Sequence, residues 1–160
     1  MKILIALLDD PASKGAFDFL LSIVKPTDEV LLLAVAKELN NNKYKNMSQA
    51  AAYNVAVQEH LRNVIRKYGR EMTKAGIKHT CLLGKGESAK KCICEEADYY
   101  DADIVIVGKR VNRKDDLSVK STSSTSNYVL HNSPCSVIVV KCDAPAPEPT
   151  PRAYAEVLEP

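Results

Sequence analysis

Two short runs, I-V-I-V at Ile104–Val107 and C-S-V-I-V-V at Cys135–Val140, constrain the fold more than any other part of the chain. Each is rich in β-branched residues, too short for a helix, and lacks the polar alternation of a half-exposed strand. Strands of this kind are buried on both faces, which requires a parallel sheet covered by helices. Between them lie a basic, hydroxyl-rich stretch and a short periodic segment, Thr125–Asn132, so the local order is strand, loop, helix, strand. In such units the loop leaving the carboxyl end of a strand and feeding a helix N-terminus is where anions bind.

The rest of the chain repeats the alternation. Lys2–Leu8 reads as strand one, and Asp10 as the N-cap of a helix over Pro11–Val24 with proline at its first position. Glu29–Ala36 reads as strand two. Ala50, Tyr53, Val57, Leu61, Val64, Tyr68 and Met72 recur at three- and four-residue steps, which predicts one long amphipathic helix from Met47 to Ala75, stopped by Gly76. Ile77–Leu83 reads as strand three and Gly84-Lys85-Gly86 as a tight turn. A third helix begins at Glu87 or Ser88, carrying Ala89, Ile93 and Ala97 inward. The expected fold is α/β: a five-stranded, doubly wound parallel sheet of flavodoxin/Rossmann-like type, strand order 3-2-1-4-5. Its ligand crevice opens between strands one and four, bordered by residues 9–13 and 108–124.

Residues 1–142 make one such domain, the length at which a single core is ordinary. Residues 143–160 hold five of the eight prolines and read as an extended or disordered tail. A net charge of +2 gives no ground for a nucleic-acid or membrane partner, and no run reaches the ~18 apolar residues of a membrane span. The opening apolar run ends too early, at Asp9-Asp10-Pro11, for a secretory signal, so a cytoplasmic location is expected. Five cysteines without a C-x-x-C pair supply neither a disulfide framework nor zinc spacing, and read as reduced, partly buried small side chains.

Chemistry concentrates after strand four. Lys109, Arg110, Arg113, Lys114 and Lys120 outnumber Asp115 and Asp116, and seven hydroxyls follow in Ser118 and residues 121–126. Cations, hydroxyls and free helix N–H groups together suit a polyphosphate; the competing reading is a solvated loop that caps a helix. No nucleophile elbow, Walker-type phosphate loop or dinucleotide fingerprint is present. His60, His79 and His131 are scattered over two helices and a strand, and Asp9 and Asp10 serve more commonly as caps than as magnesium ligands. No catalytic residue or resident metal is expected.

The chain resembles the universal stress protein family from about Lys2 to Lys141. The resemblance rests on I-L-I-A-L, S-K-G-A-F, A-D-I-V-I-V-G-K-R and, most specifically, S-N-Y-V-L-H-N-S-P-C-S-V-I-V-V-K. It implies the same five-stranded fold, ATP or AMP in the crevice for many members, and a homodimer paired through the final strand; magnesium would enter only together with a nucleotide. Nucleotide-binding members carry Gly, two residues, Gly, nine residues, then Gly followed by Ser or Thr. Here Gly108 matches the first position and Val111 stands at the second. Ser123 followed by Ser124 stands at the third with an eleven-residue spacer, or Ser121-Thr122 with nine. Where the family places an aspartate after strand one this chain has Leu8, with Asp9 one residue later, while Val35 and Val107 match positions flanking the adenine.

Two readings follow. In one, Gly108, Arg110 and Ser123–Thr125 cradle phosphates, Val35 and Val107 hold the base, Asp9 contributes through a shifted turn, and ATP hydrolysis is slow at most. In the other, the crevice holds no nucleotide and a dimer closed through Cys135, Val137, Ile138, Val139 and Val140 is the functional unit, an interaction scaffold.

Overall fold

The computed structural model describes residues 1–39, 47–111 and 125–143, the side chains of residues 110, 111 and 143 excepted. The elements run β1 (Lys2–Ala6), α1 (Pro11–Ile23), β2 (Glu29–Lys37), α2 (Met47–Lys74), β3 (Lys78–Gly86), α3 (Ala89–Tyr99), β4 (Ile104–Val111), α4 (Thr125–Asn132) and β5 (Ser136–Asp143). All five strands are parallel, in the order β3-β2-β1-β4-β5 expected of a doubly wound sheet of this type.

Side chains alternate across a strand, so each unbroken run supplies both faces of the sheet. Ile3, Ile5, Val30, Leu32, Ala34 and Ile106 pack on one side with Phe17 and Leu20 of α1 and Leu61, Val64, Tyr68 and Met72 of α2. Leu4, Leu31, Leu33, Val35, Val105 and Val107 face the other way, against Cys92, Ile93 and Ala97 of α3 and Val129 of α4. The central strands β1 and β2 are sealed on both sides. This is why their sequences carry no polar alternation.

Turn chemistry sets how the helices enter and leave. Asp10 caps α1 by accepting the Ser13 N–H at 2.7 Å, Pro11 follows at the first position, and the Ser13 hydroxyl oxygen accepts the Leu8 N–H at 2.8 Å. Gly76, at φ +69°, ends α2 in the left-handed region while Ile77 N–H reaches back to the Met72 carbonyl at 3.0 Å. Asp101, at φ +50°, plays the same part after α3, with Ala102 N–H on the Ala97 carbonyl at 2.9 Å.

Several boundaries differ from the sequence expectation. Gly84-Lys85-Gly86 is not a turn: the three residues extend β3, pairing with Val35, Ala36 and Lys37 of β2. A Cβ on Gly84 would lie 2.6 Å from Cys92 Sγ, so glycine is there to let α3 settle on the sheet. Strand β1 ends at Ala6 rather than Leu8, because the Leu8 N–H is taken by Ser13. Strands β4 and β5 run on to Val111 and Asp143, so Gly108, Lys109 and Arg110 are paired strand residues opposite Val140, Lys141 and Cys142. Tyr53, on the apolar stripe expected for α2, is 51% exposed, whereas Ala50 on the same stripe is buried and Val57 packs against the core. The Pro-rich tail beyond Asp143 lies outside the described residues.

A buried carboxylate fastens the start of β2. Asp28 accepts the Met1 ammonium at 2.8 Å and the Lys25 N–H at 2.9 Å, and these hold its carboxyl below the usual value near 3.8. A carboxyl whose folded pKa is depressed contributes stability above its unfolded pKa and loses it as pH falls through the folded one. Asp28→Asn is therefore expected to remove part of the acid-limb loss of stability below about pH 4, as read by denaturant unfolding at stepped pH.

Candidate nucleotide site

The strand order reverses at β1, with β2 on one side and β4 on the other. The carboxyl ends of these three strands open into a cavity of about 760 Å³. Doubly wound sheets bind ligands at this switch point. Its floor comes from Ala6, Leu7 and Leu8 after β1, Leu33, Val35 and Lys37 of β2, and Val107, Gly108 and Lys109 of β4. One wall is the first turn of α1, with Asp10, Ala12 and Ser13. A second is the N-terminal half of α2, with Tyr53, Ala56, Val57, His60 and Leu61. Ala89 and Ile93 of α3 and Thr125 and Ser126 at the N-terminus of α4 complete it. An apolar interior with a few convergent polar groups is the usual make-up of a small-molecule site.

Of the candidate residues, Val35, Val107, Gly108 and Thr125 meet in this cavity. Ser123 and Ser124 lie outside the described residues, and Arg110 and Val111 are described only as the backbone that ends β4. Asp9 is not among the lining residues; Asp10 is, with its carboxylate committed to the α1 cap. The Asp9 carboxylate instead lies 3.5 Å from Nε2 of His60, which does line the cavity.

Gly108 has a role that its motif position did not suggest. A Cβ there would lie 2.3 Å from the carbonyl oxygen of Ala12 and 2.6 Å from its carbon. The close approach required of this glycine is to the first turn of α1. Beside it, Cys142 Sγ donates to the same Ala12 carbonyl at 3.4 Å and fills the notch left by Gly15, where a Cβ would sit 2.2 Å from the sulfur. Two glycines and a cysteine thus seat the α1 N-terminus on β4 and β5.

Electrostatically the rim is cationic, with Lys37 and Lys109 at the ends of β2 and β4 and the positive end of the α4 dipole beside Thr125. Lys109 was counted in the basic run but not placed in the site; alternation along β4 puts it on the Val107 face, a signal available once the strand is known to continue past Gly108. Tyr53 and His60, which also line the cavity, are not among the site residues expected from the sequence. Their spacing with Val57, at i, i+4 and i+7, is the signal that puts all three on one helix face. Burial raises the thiol pKa of Cys92 and Cys94, which makes both poor nucleophiles at neutral pH.

The comparisons with known proteins agree with this fold. Residues 1–141 match the model of the universal stress protein family. No curated protein matches the sequence. Among solved structures, the protein MJ0577, the subject of a structure-based assignment of biochemical function, superposes with a TM-score of 0.73 at 22% identity, covering 88% of this chain and 95% of that one. An AMP-bound universal stress protein family protein from Arabidopsis thaliana gives 0.62 at 20%, covering 88% and 91%. A universal stress protein in complex with cAMP gives 0.60 at 13%, covering 88% and 96%. At these identities the structural likeness speaks for the fold, and the family match for membership: this chain belongs to the universal stress protein family.

Proposed function

We propose that the cavity binds an adenine nucleotide, ATP or AMP, and that the protein acts in the stress response, in the cytoplasm, as a nucleotide-responsive module without efficient catalysis. The observation that carries this reading is the cavity itself. It combines apolar sides at Val35 and Val107 with Lys109 and the α4 N-terminus, at the sheet's switch point. An apolar slot for a base next to a cationic anion cradle suits a nucleotide better than a sugar or a peptide. The AMP and cAMP complexes of structural relatives support the same ligand class.

The described residues contain no cluster of three His, Cys, Asp or Glu side chains that could hold a metal ion. Among the described residues, no helix is long and apolar enough to cross a membrane.

The test is mass spectrometry of small molecules released from the denatured protein, followed by calorimetric titration with ATP and AMP. Stoichiometric binding is expected. Arg110→Glu should abolish it and Lys109→Glu should weaken it at least about tenfold. Unchanged affinity in both variants would remove β4 from the phosphate site.

A second reading rests on β5. This strand lies at the edge of the sheet, and Cys135, Val137, Ile138, Val139 and Val140 stay only half-buried. A bare apolar edge is rarely left open, and antiparallel pairing with a second copy would close it about a two-fold axis. A dimeric scaffold of this kind is compatible with an empty or a filled cavity. Sedimentation showing only monomer at micromolar concentration would count against it.

A further inference from the structure

We infer that Tyr53 and His60, on the N-terminal half of α2, complete the seat of the nucleotide's base, with Asp9 acting through His60. This rests on the nucleotide reading above. Among the floor side chains, Val35 and Val107 offer a base apolar contact, Leu8 has no hydrogen-bonding side chain, and the polar ones are the ammonium groups of Lys37 and Lys109. Lys109 and Thr125 lie on the β4 and α4 side, where anionic groups are favoured. The heteroatom edge of a base needs partners that these residues do not supply.

The wall formed by α2 supplies them. Tyr53 and His60 both line the cavity, with Val57 between them on one helical face. Tyr53 is 51% exposed and Leu8 47%, so two large side chains that line the cavity also meet solvent, surface that a planar base would cover. A tyrosine ring is a stacking platform for any base, whereas imidazole can both donate to and accept from a base edge. The carboxylate of Asp9 lies 3.5 Å from Nε2 of His60, so an N–H on that nitrogen can point toward it and orient the ring, which leaves Nδ1 as an acceptor for a base's exocyclic amino group. Asp9, Tyr53 and His60 are solvent-facing and carry little of the fold, so their effects are expected on binding rather than on stability.

The experiment is calorimetric titration of the full chain with ATP and, separately, with inorganic tripolyphosphate, which lacks a base. Tyr53→Ala and His60→Ala should each weaken ATP about tenfold while leaving tripolyphosphate unchanged, and Tyr53→Phe should retain ATP affinity. Asp9→Asn should weaken ATP in the wild-type background and add nothing to His60→Ala, the non-additivity that a positioning residue shows. Wild-type ATP affinity in both alanine variants overturns the inference while leaving the nucleotide reading intact. Equal losses for ATP and tripolyphosphate also overturn it, since the base would then not be what α2 holds. A wild-type chain that binds no nucleotide overturns the reading on which the inference stands.

Discussion

Gly108→Ala is expected to lose about 3 kcal/mol of folding stability, at the upper end for overpacking by a single methyl group. The added Cβ would lie 2.3 Å from a backbone oxygen and 2.6 Å from a backbone carbon of Ala12, and neither can rotate away. Relief requires α1 to lift from β4, which would also open the Leu8–Ser13 turn. Gly15→Ala is a useful contrast. Its Cβ would meet Cys142 Sγ at 2.2 Å, but that atom ends a short side chain on an edge strand and can rotate. The Gly15→Ala loss should be smaller, roughly 1–2 kcal/mol, and Gly15→Ala with Cys142→Ala should recover most of it. Urea denaturation reads all three variants. A Gly108→Ala protein as stable as wild type would return the glycine to a purely ligand-directed role.

Phe17→Ala should cost about 4 kcal/mol, the range for emptying a buried aromatic site. Phe17 is 2% exposed, packs in the α1–α2 core, and meets Tyr68 with ring centroids 4.6 Å apart. This contact joins α1 to α2, and α2 carries the cavity wall. The variant should therefore lose ligand affinity beyond what its unfolded fraction explains, whereas Phe17→Leu should cost nearer 1 kcal/mol and retain binding. Thermal melts with and without ATP separate the two effects. If Phe17→Ala unfolds at the wild-type midpoint, α1 and α2 are not joined through this ring.

The sheet was legible because its signal is redundant. Lys2–Ala6, Glu29–Lys37 and Ile104–Val107 each announce a doubly buried strand, and the helices between them carry their own caps at Asp10 and Gly76. Ends of elements were less legible. Gly84 and Gly108 read as turn and loop signals, yet each lies inside a strand because a neighbouring element presses on it, Cys92 of α3 in one case and Ala12 of α1 in the other. That information is tertiary and leaves no mark on local spacing. The site divided in the same way. Val35 and Val107, named through the family resemblance, line the cavity, but Tyr53 and His60 depend on how far α2 overhangs the sheet, which periodicity does not encode.

The seating of α1 has a thermodynamic consequence. With Gly108 in backbone contact with Ala12, and Cys142 wedged at Gly15, the floor of the cavity is pre-organised: strands and first helical turn form one stiff frame before any ligand arrives. Any further ordering on binding would then fall on a wall less held by packing, and the N-terminal half of α2 is exposed along most of residues 47–60. A ligand would write its presence into the amide-exchange rates of that half-helix and leave those of the strands nearly untouched. The signal a partner could sense is a stiffened helix on an unmoving sheet.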